Sequence, residues 1–148
     1  MLSGIVNRTI VIIAILITSC SQSKDIDINL AFNRNDININ CNLTKIVVRD
    51  LDKNYKKLFG VKADKLTYIY GTISIKNISN SFVKYNLNQY YLYYNNIISS
   101  GIYIDSVASY IILESTLKPH ENVTKSVYWV FDGVLTQKAY KEIKLVLH

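Results

Sequence analysis

Leu66, Thr67, Tyr68, Ile69, Tyr70, Gly71, Thr72, Ile73, Ser74, Ile75, Lys76 and Asn77 form the stretch that decides the fold. Ile69, Ile73 and Ile75 share one parity, and Tyr68, Tyr70, Thr72 and Ser74 share the other. A period of two carried by β-branched and aromatic side chains is a strand with one face buried. Gly71 falls on the apolar parity, where a glycine marks a bulge or a close approach by a neighbouring backbone. Asn77 to Ser81 (Asn, Ile, Ser, Asn, Ser) has the composition of a turn. Phe82 to Tyr94 then reads as a second long strand, with Val83, Tyr85, Leu87, Tyr91 and Tyr93 on one side and Tyr90 and Tyr94 on the other.

The same alternation extends in both directions. Ile26, Ile28, Leu30 and Phe32 alternate up to a polar break at Asn33 to Asp36, and Ile37, Ile39, Cys41 and Leu43 resume it. Parity slips before Ile46, which places a bulge at Thr44 and Lys45. Ile102 to Val107 and Tyr110 to Leu117 are further strands, followed by a loop around Pro119. Val123 to Phe131 puts Val127, Trp129 and Phe131 on one side, Asp132 and Gly133 turn, and Glu142 to Leu147 closes with Ile143, Leu145 and Leu147. Two segments stay open: Asp50 to Lys65 reads equally as a short helix or a loop, and Leu135 to Tyr140 as a loop or a helical turn. Short strands divided by turns, without a sustained helical period, predict an all-β antiparallel sandwich. Its expected inward set is Ile69, Ile73, Ile75, Val83, Leu87, Tyr91, Val127, Trp129, Phe131, Ile143, Leu145 and Leu147.

The first twenty residues have a different character. One cation, Arg8, precedes an apolar run from Thr9 to Thr18, roughly half the ~20 residues that cross a bilayer as a helix. Ile17, Thr18, Ser19 and Cys20 then resemble the lipobox of bacterial lipoproteins, an aliphatic residue and two small residues before an obligatory cysteine. The resemblance implies cleavage after residue 19, lipid on Cys20, and attachment through several acyl chains, since one chain binds only marginally. Ser21, where no aspartate stands, implies passage to the outer membrane, facing the periplasm, if the source has two membranes. The expected organisation is a signal peptide at 1–19, the lipidated cysteine with a short tether at 20–25, and one domain at 26–148.

The chain has 148 residues with 17 Lys and Arg against 11 Asp and Glu. A moderately basic exported domain suits anionic lipid, wall polymer or simple solubility, and nucleic acid is not an expected partner in that compartment. With Cys20 lipidated, Cys41 is the remaining thiol, on the apolar parity, and reads as a buried small hydrophobe or else as a reactive or intermolecularly paired thiol. The sequons at Asn7, Asn42, Asn77 and Asn122 read as by-products of an Asn-rich composition.

From Leu43 to the C-terminus the order of elements resembles the immunoglobulin-like domain of small bacterial lipoproteins of unknown role. The residues that carry it are the Asn77-Ile-Ser79 turn, the strand with Phe82 and its tyrosines, the loop Leu117 to Val123, then Val127 to Phe131 and the final Ile143 to Leu147. The resemblance implies the fold and carries over no functional residue.

Chemistry is sparse. His120 and His148 read as surface residues, the pairs Asp25/Asp27 and Asp50/Asp52 do not continue into a calcium loop, and neither a phosphate loop nor a nucleophile elbow is present. No catalytic residue, metal ligand, cofactor or small-molecule substrate is expected. Two features suggest binding. Tyr90 and Tyr94 read as a partner platform or as ordinary cross-strand packing. Lys56 and Lys57, with Lys53, Lys62 and Lys65, make the most basic stretch, a contact for anionic headgroups or wall polymer or else a solvated loop. The expected function is a non-catalytic, membrane-tethered binding or structural module of the cell envelope with a protein partner. Immunity or inhibitor lipoproteins and secretion-apparatus subunits are the alternatives.

Overall fold

A hairpin of two long strands leads the fold because both carry alternating apolar residues and a polar turn joins them. The computed structural model describes residues 22–51, 53–59, 62–104, 114–136 and 138–147. In chain order, β1 is Gln22–Arg34, β2 is Ile37–Asp50, α1 is Lys53–Phe59, β3 is Lys65–Asn77, β4 is Val83–Asn86 and β5 is Tyr90–Tyr94. They are followed by β6 at Ile97–Ile98, β7 at Tyr103–Ile104, β8 at Glu114–Leu117, β9 at Asn122–Asp132 and β10 at Lys144–Leu147. Among the described residues every strand pairing is antiparallel.

One layer is the five-stranded sheet β1-β2-β3-β9-β7. The other is made of β10-β5-β6 and the pair β4-β8. Ile39, Leu43, Ile69, Ile73, Val127, Trp129 and Phe131 of the first layer share one buried core with Leu87, Leu92, Ile143 and Leu145 of the second. The architecture is an all-β, antiparallel sandwich. Trp129 also ties the layers by a polar contact, its Nε1 donating to the Tyr90 carbonyl at 3.3 Å. The chain changes layer at Ser99 and Ser100: the Ser99 amide donates to the Leu92 carbonyl at 2.9 Å, and the Ser100 amide to the Val130 carbonyl at 2.7 Å.

Local irregularities follow from the residues expected to make them. Asn35 turns the β1-β2 hairpin at a φ of 47°, a conformation asparagine tolerates. The β2-β3 register skips between Leu43 and Lys45, so Thr44 is the extra residue of a bulge. Gly71 sits against β2 so closely that a Cβ would collide with the Asn42 carbonyl. Asn77 is fully buried, and its amide nitrogen donates to the carbonyls of Ser81 at 2.7 Å and Lys118 at 2.9 Å, while its oxygen accepts from the Ser79 amide at 2.9 Å. It thereby joins the turn after β3 to the proline loop.

Three expectations are corrected. The strand from Phe82 to Tyr94 is interrupted by a 3₁₀ turn at Leu87–Gln89, which Asn86 caps by accepting the Asn88 amide at 2.9 Å. A 3₁₀ turn has three residues per turn instead of two per repeat, so parity is lost across it. Tyr90 and Leu92 consequently point inward and Tyr91 does not, being half-buried on the other side. The tether also shortens, since β1 begins at Gln22 and residues 22–25 already pair with Val48 through Lys45. Of the two open segments, 50–65 contains α1, and the C-terminal one has a 3₁₀ turn at Ala139–Glu142. Residues 105–113, expected to continue two strands, lie outside the described residues, as do Met1 to Ser21 with Cys20, Asp52 and His148.

Candidate functional site

Tyr90, expected on an exposed platform, is 4% exposed and packs edge-on against Phe32 with ring centroids 6.3 Å apart. Burial pushes its hydroxyl above the usual range, with the Arg34 charge opposing. Tyr94 is partly buried against the same core. The two therefore do not form an outer platform, because the 3₁₀ turn before β5 exchanged the faces.

Lys56 and Lys57 lie on α1 in different settings. Lys56 pairs with Asp64, whose carboxyl is held below its ordinary range by the hydrogen bond from Lys56 and by its charge. That pair pins α1 to the residue preceding β3. Lys57 is exposed, as are Lys53 and Lys62, while Lys65 pairs with Asp50 at 3.3 Å. Asp25 and Asp27 are exposed on β1, and among the described residues no three His, Cys, Asp or Glu side chains gather as metal ligands. His120 is exposed, at a φ of 61°, with its Nε2 3.0 Å from the Asn80 Oδ1. Cys41 is buried, and burial raises its thiol to about 12, so it is a core residue held protonated.

The outer face of the five-stranded sheet carries a constellation that the linear reading did not assemble. Tyr70 of β3 is in register with Tyr128 of β9, and their ring centroids are 5.4 Å apart. Tyr68 stacks on Tyr70 at 6.5 Å and lies 6.2 Å from Tyr128. Arg49 of β2 places its guanidinium 4.8 Å from the Tyr68 ring centroid and donates from Nη2 to the Tyr70 hydroxyl at 3.3 Å. All three tyrosines remain partly exposed and Arg49 is exposed. Flat aromatic bodies with polar tips, preorganised by one another and by a guanidinium, offer area at low entropic cost. The outward parity of Tyr68 and Tyr70 was visible in the sequence. Their meeting with Tyr128 and Arg49 depends on register across three strands, which no single segment encodes.

Farther along the same face the rings give way to amides and hydroxyls. Ser74 Oγ lies 3.0 Å from Asn122 Oδ1 and 2.9 Å from Thr124 Oγ1. A shallow depression of about 340 Å³ is lined there by Asn29, Asn40, Asn42, Thr72 and Ser74. Such a surface is equipped for contact and hydrogen bonding.

No family model and no curated protein matches the chain. A solved structure similar to it is that of a functionally unknown protein from Listeria monocytogenes EGD-e, at 13% identity over 83% of this chain and 70% of that one. Its TM-score of 0.46 is a likeness too slight to bear on fold or function.

Proposed function

We propose that the protein is an exported lipoprotein, anchored through Cys20, that acts as a non-catalytic binding module of the cell envelope and presents the outer face of its five-stranded sheet to a protein partner. The observation that carries the reading is the cluster of Arg49, Tyr68, Tyr70 and Tyr128. Tyrosine and arginine are the side chains in which binding energy at protein interfaces concentrates, and here they are already ordered before any partner arrives. The lipobox resemblance at Ile17 to Cys20 supplies the membrane attachment.

Affinity capture of envelope proteins with the lipidated chain tests it, run beside Arg49→Ala and Tyr70→Ala. A partner seated on this face should be lost or weakened by more than about 1 kcal/mol in each variant. Identical recovery by wild type and both variants would remove the sheet face from the account.

A further inference from the structure

The topology brings two features far apart in the sequence to one end of the sandwich. β1 begins at Gln22, paired with Val48, and β2 runs on only to Asp50 before α1. β3 begins at Lys65 opposite Asp50, and Gly133, just after β9, donates its amide to the Lys65 carbonyl at 2.8 Å. The start of β1, α1 and Val134 therefore share one end. Gln22 is two residues beyond Cys20, which limits their Cα separation to roughly 7 Å.

Charge at this end is unevenly matched. Asp64 and Asp50 occupy Lys56 and Lys65. Lys53, Lys57 and Lys62 are exposed, as is Arg49, and among the described residues Asp132 is an exposed acid after β9 at the same end. Val134, 55% exposed, adds an apolar side chain at the same end. Lysine ammoniums next to a bilayer are drawn to anionic headgroups, and a tether raises their effective concentration there, so individually weak contacts suffice.

We propose that this end, through Lys53, Lys57 and Lys62, rests on anionic lipid headgroups of the membrane that holds Cys20, fixing the domain end-on. The proposal rests on the lipoprotein reading. It gives the tyrosine-arginine face, whose Arg49 lies only a few residues from this end, an orientation across the membrane plane and a height close to it.

Amine modification of the lipidated wild-type protein in vesicles tests it, read lysine by lysine by mass spectrometry. The vesicles are phosphatidylcholine alone or mixed with phosphatidylglycerol. Modification of Lys53, Lys57 and Lys62 should fall several-fold on the mixed vesicles and recover in high salt, whereas Lys76, Lys84 and Lys118 toward the opposite end should not change. Equal modification on both vesicles, with lipid present on the Cys20 peptide, overturns the end-on contact and leaves the tether standing. A Cys20 peptide without lipid overturns both.

Discussion

Trp129 has no exposed surface, fills the space between the layers, and donates its indole hydrogen to the Tyr90 carbonyl. Trp129→Ala should cost roughly 3–5 kcal/mol in denaturant unfolding, because the cavity cannot close between two sheets; a loss below about 1 kcal/mol would mean that the core is elsewhere. Asn77 works by hydrogen bonds instead. Asn77→Ala leaves the Ser81 and Lys118 carbonyls without their donor, and a loss of about 2 kcal/mol or more is expected in the same measurement. Cys41 supplies a pH dependence. Its thiol stays protonated in the folded chain up to about 12, whereas an unburied one ionises near 9.0. The unfolded state alone gains from ionisation in that window, so the contribution of Cys41 is fully present below pH 9 and is lost as pH rises toward 12, by up to ~1.4 kcal/mol per unit. Unfolding of Cys41→Ala should therefore show a shallower fall in stability than wild type between those limits. Parallel slopes would place the thiol in contact with water.

At the scale of elements, parity within an uninterrupted strand was legible and parity across a turn was not. Ile69, Ile73, Ile75, Val127, Trp129 and Phe131 lie inward as their alternation requires, and the bulge at Thr44 and the tight place at Gly71 sit where the pattern slips or a glycine intrudes. The exchange of Tyr91 for Tyr90 has a single local cause, the Asn86-capped 3₁₀ turn, which reads in sequence as ordinary polar residues in a strand. The cap is testable: Asn86→Ala should destabilise the domain by about 0.5–2 kcal/mol. If the cap also sets the phase of β5, the variant should raise the solvent accessibility of Tyr90. The tyrosine-arginine face was not legible in the sequence for a further reason. Tyr68 and Tyr70 are local, but Tyr128 and Arg49 join them only through the β3-β9 and β2-β3 registers.

For the molecule as a whole, the layered core fixes which surfaces are left for function. The inner faces are consumed by packing, so the outer faces of the two layers and the ends of the sandwich are the surfaces left exposed. On the proposed lipoprotein reading, β1 starting at Gln22 leaves little chain between Cys20 and the fold, which would hold the domain near the bilayer instead of letting it swing on a long leash. The proposed envelope role depends on that attachment. Its most direct test is incorporation of radiolabelled fatty acid into wild type and Cys20→Ala in a bacterial host. Label is expected in the wild-type chain and none in the variant; equal labelling of both would contradict lipid attachment at Cys20.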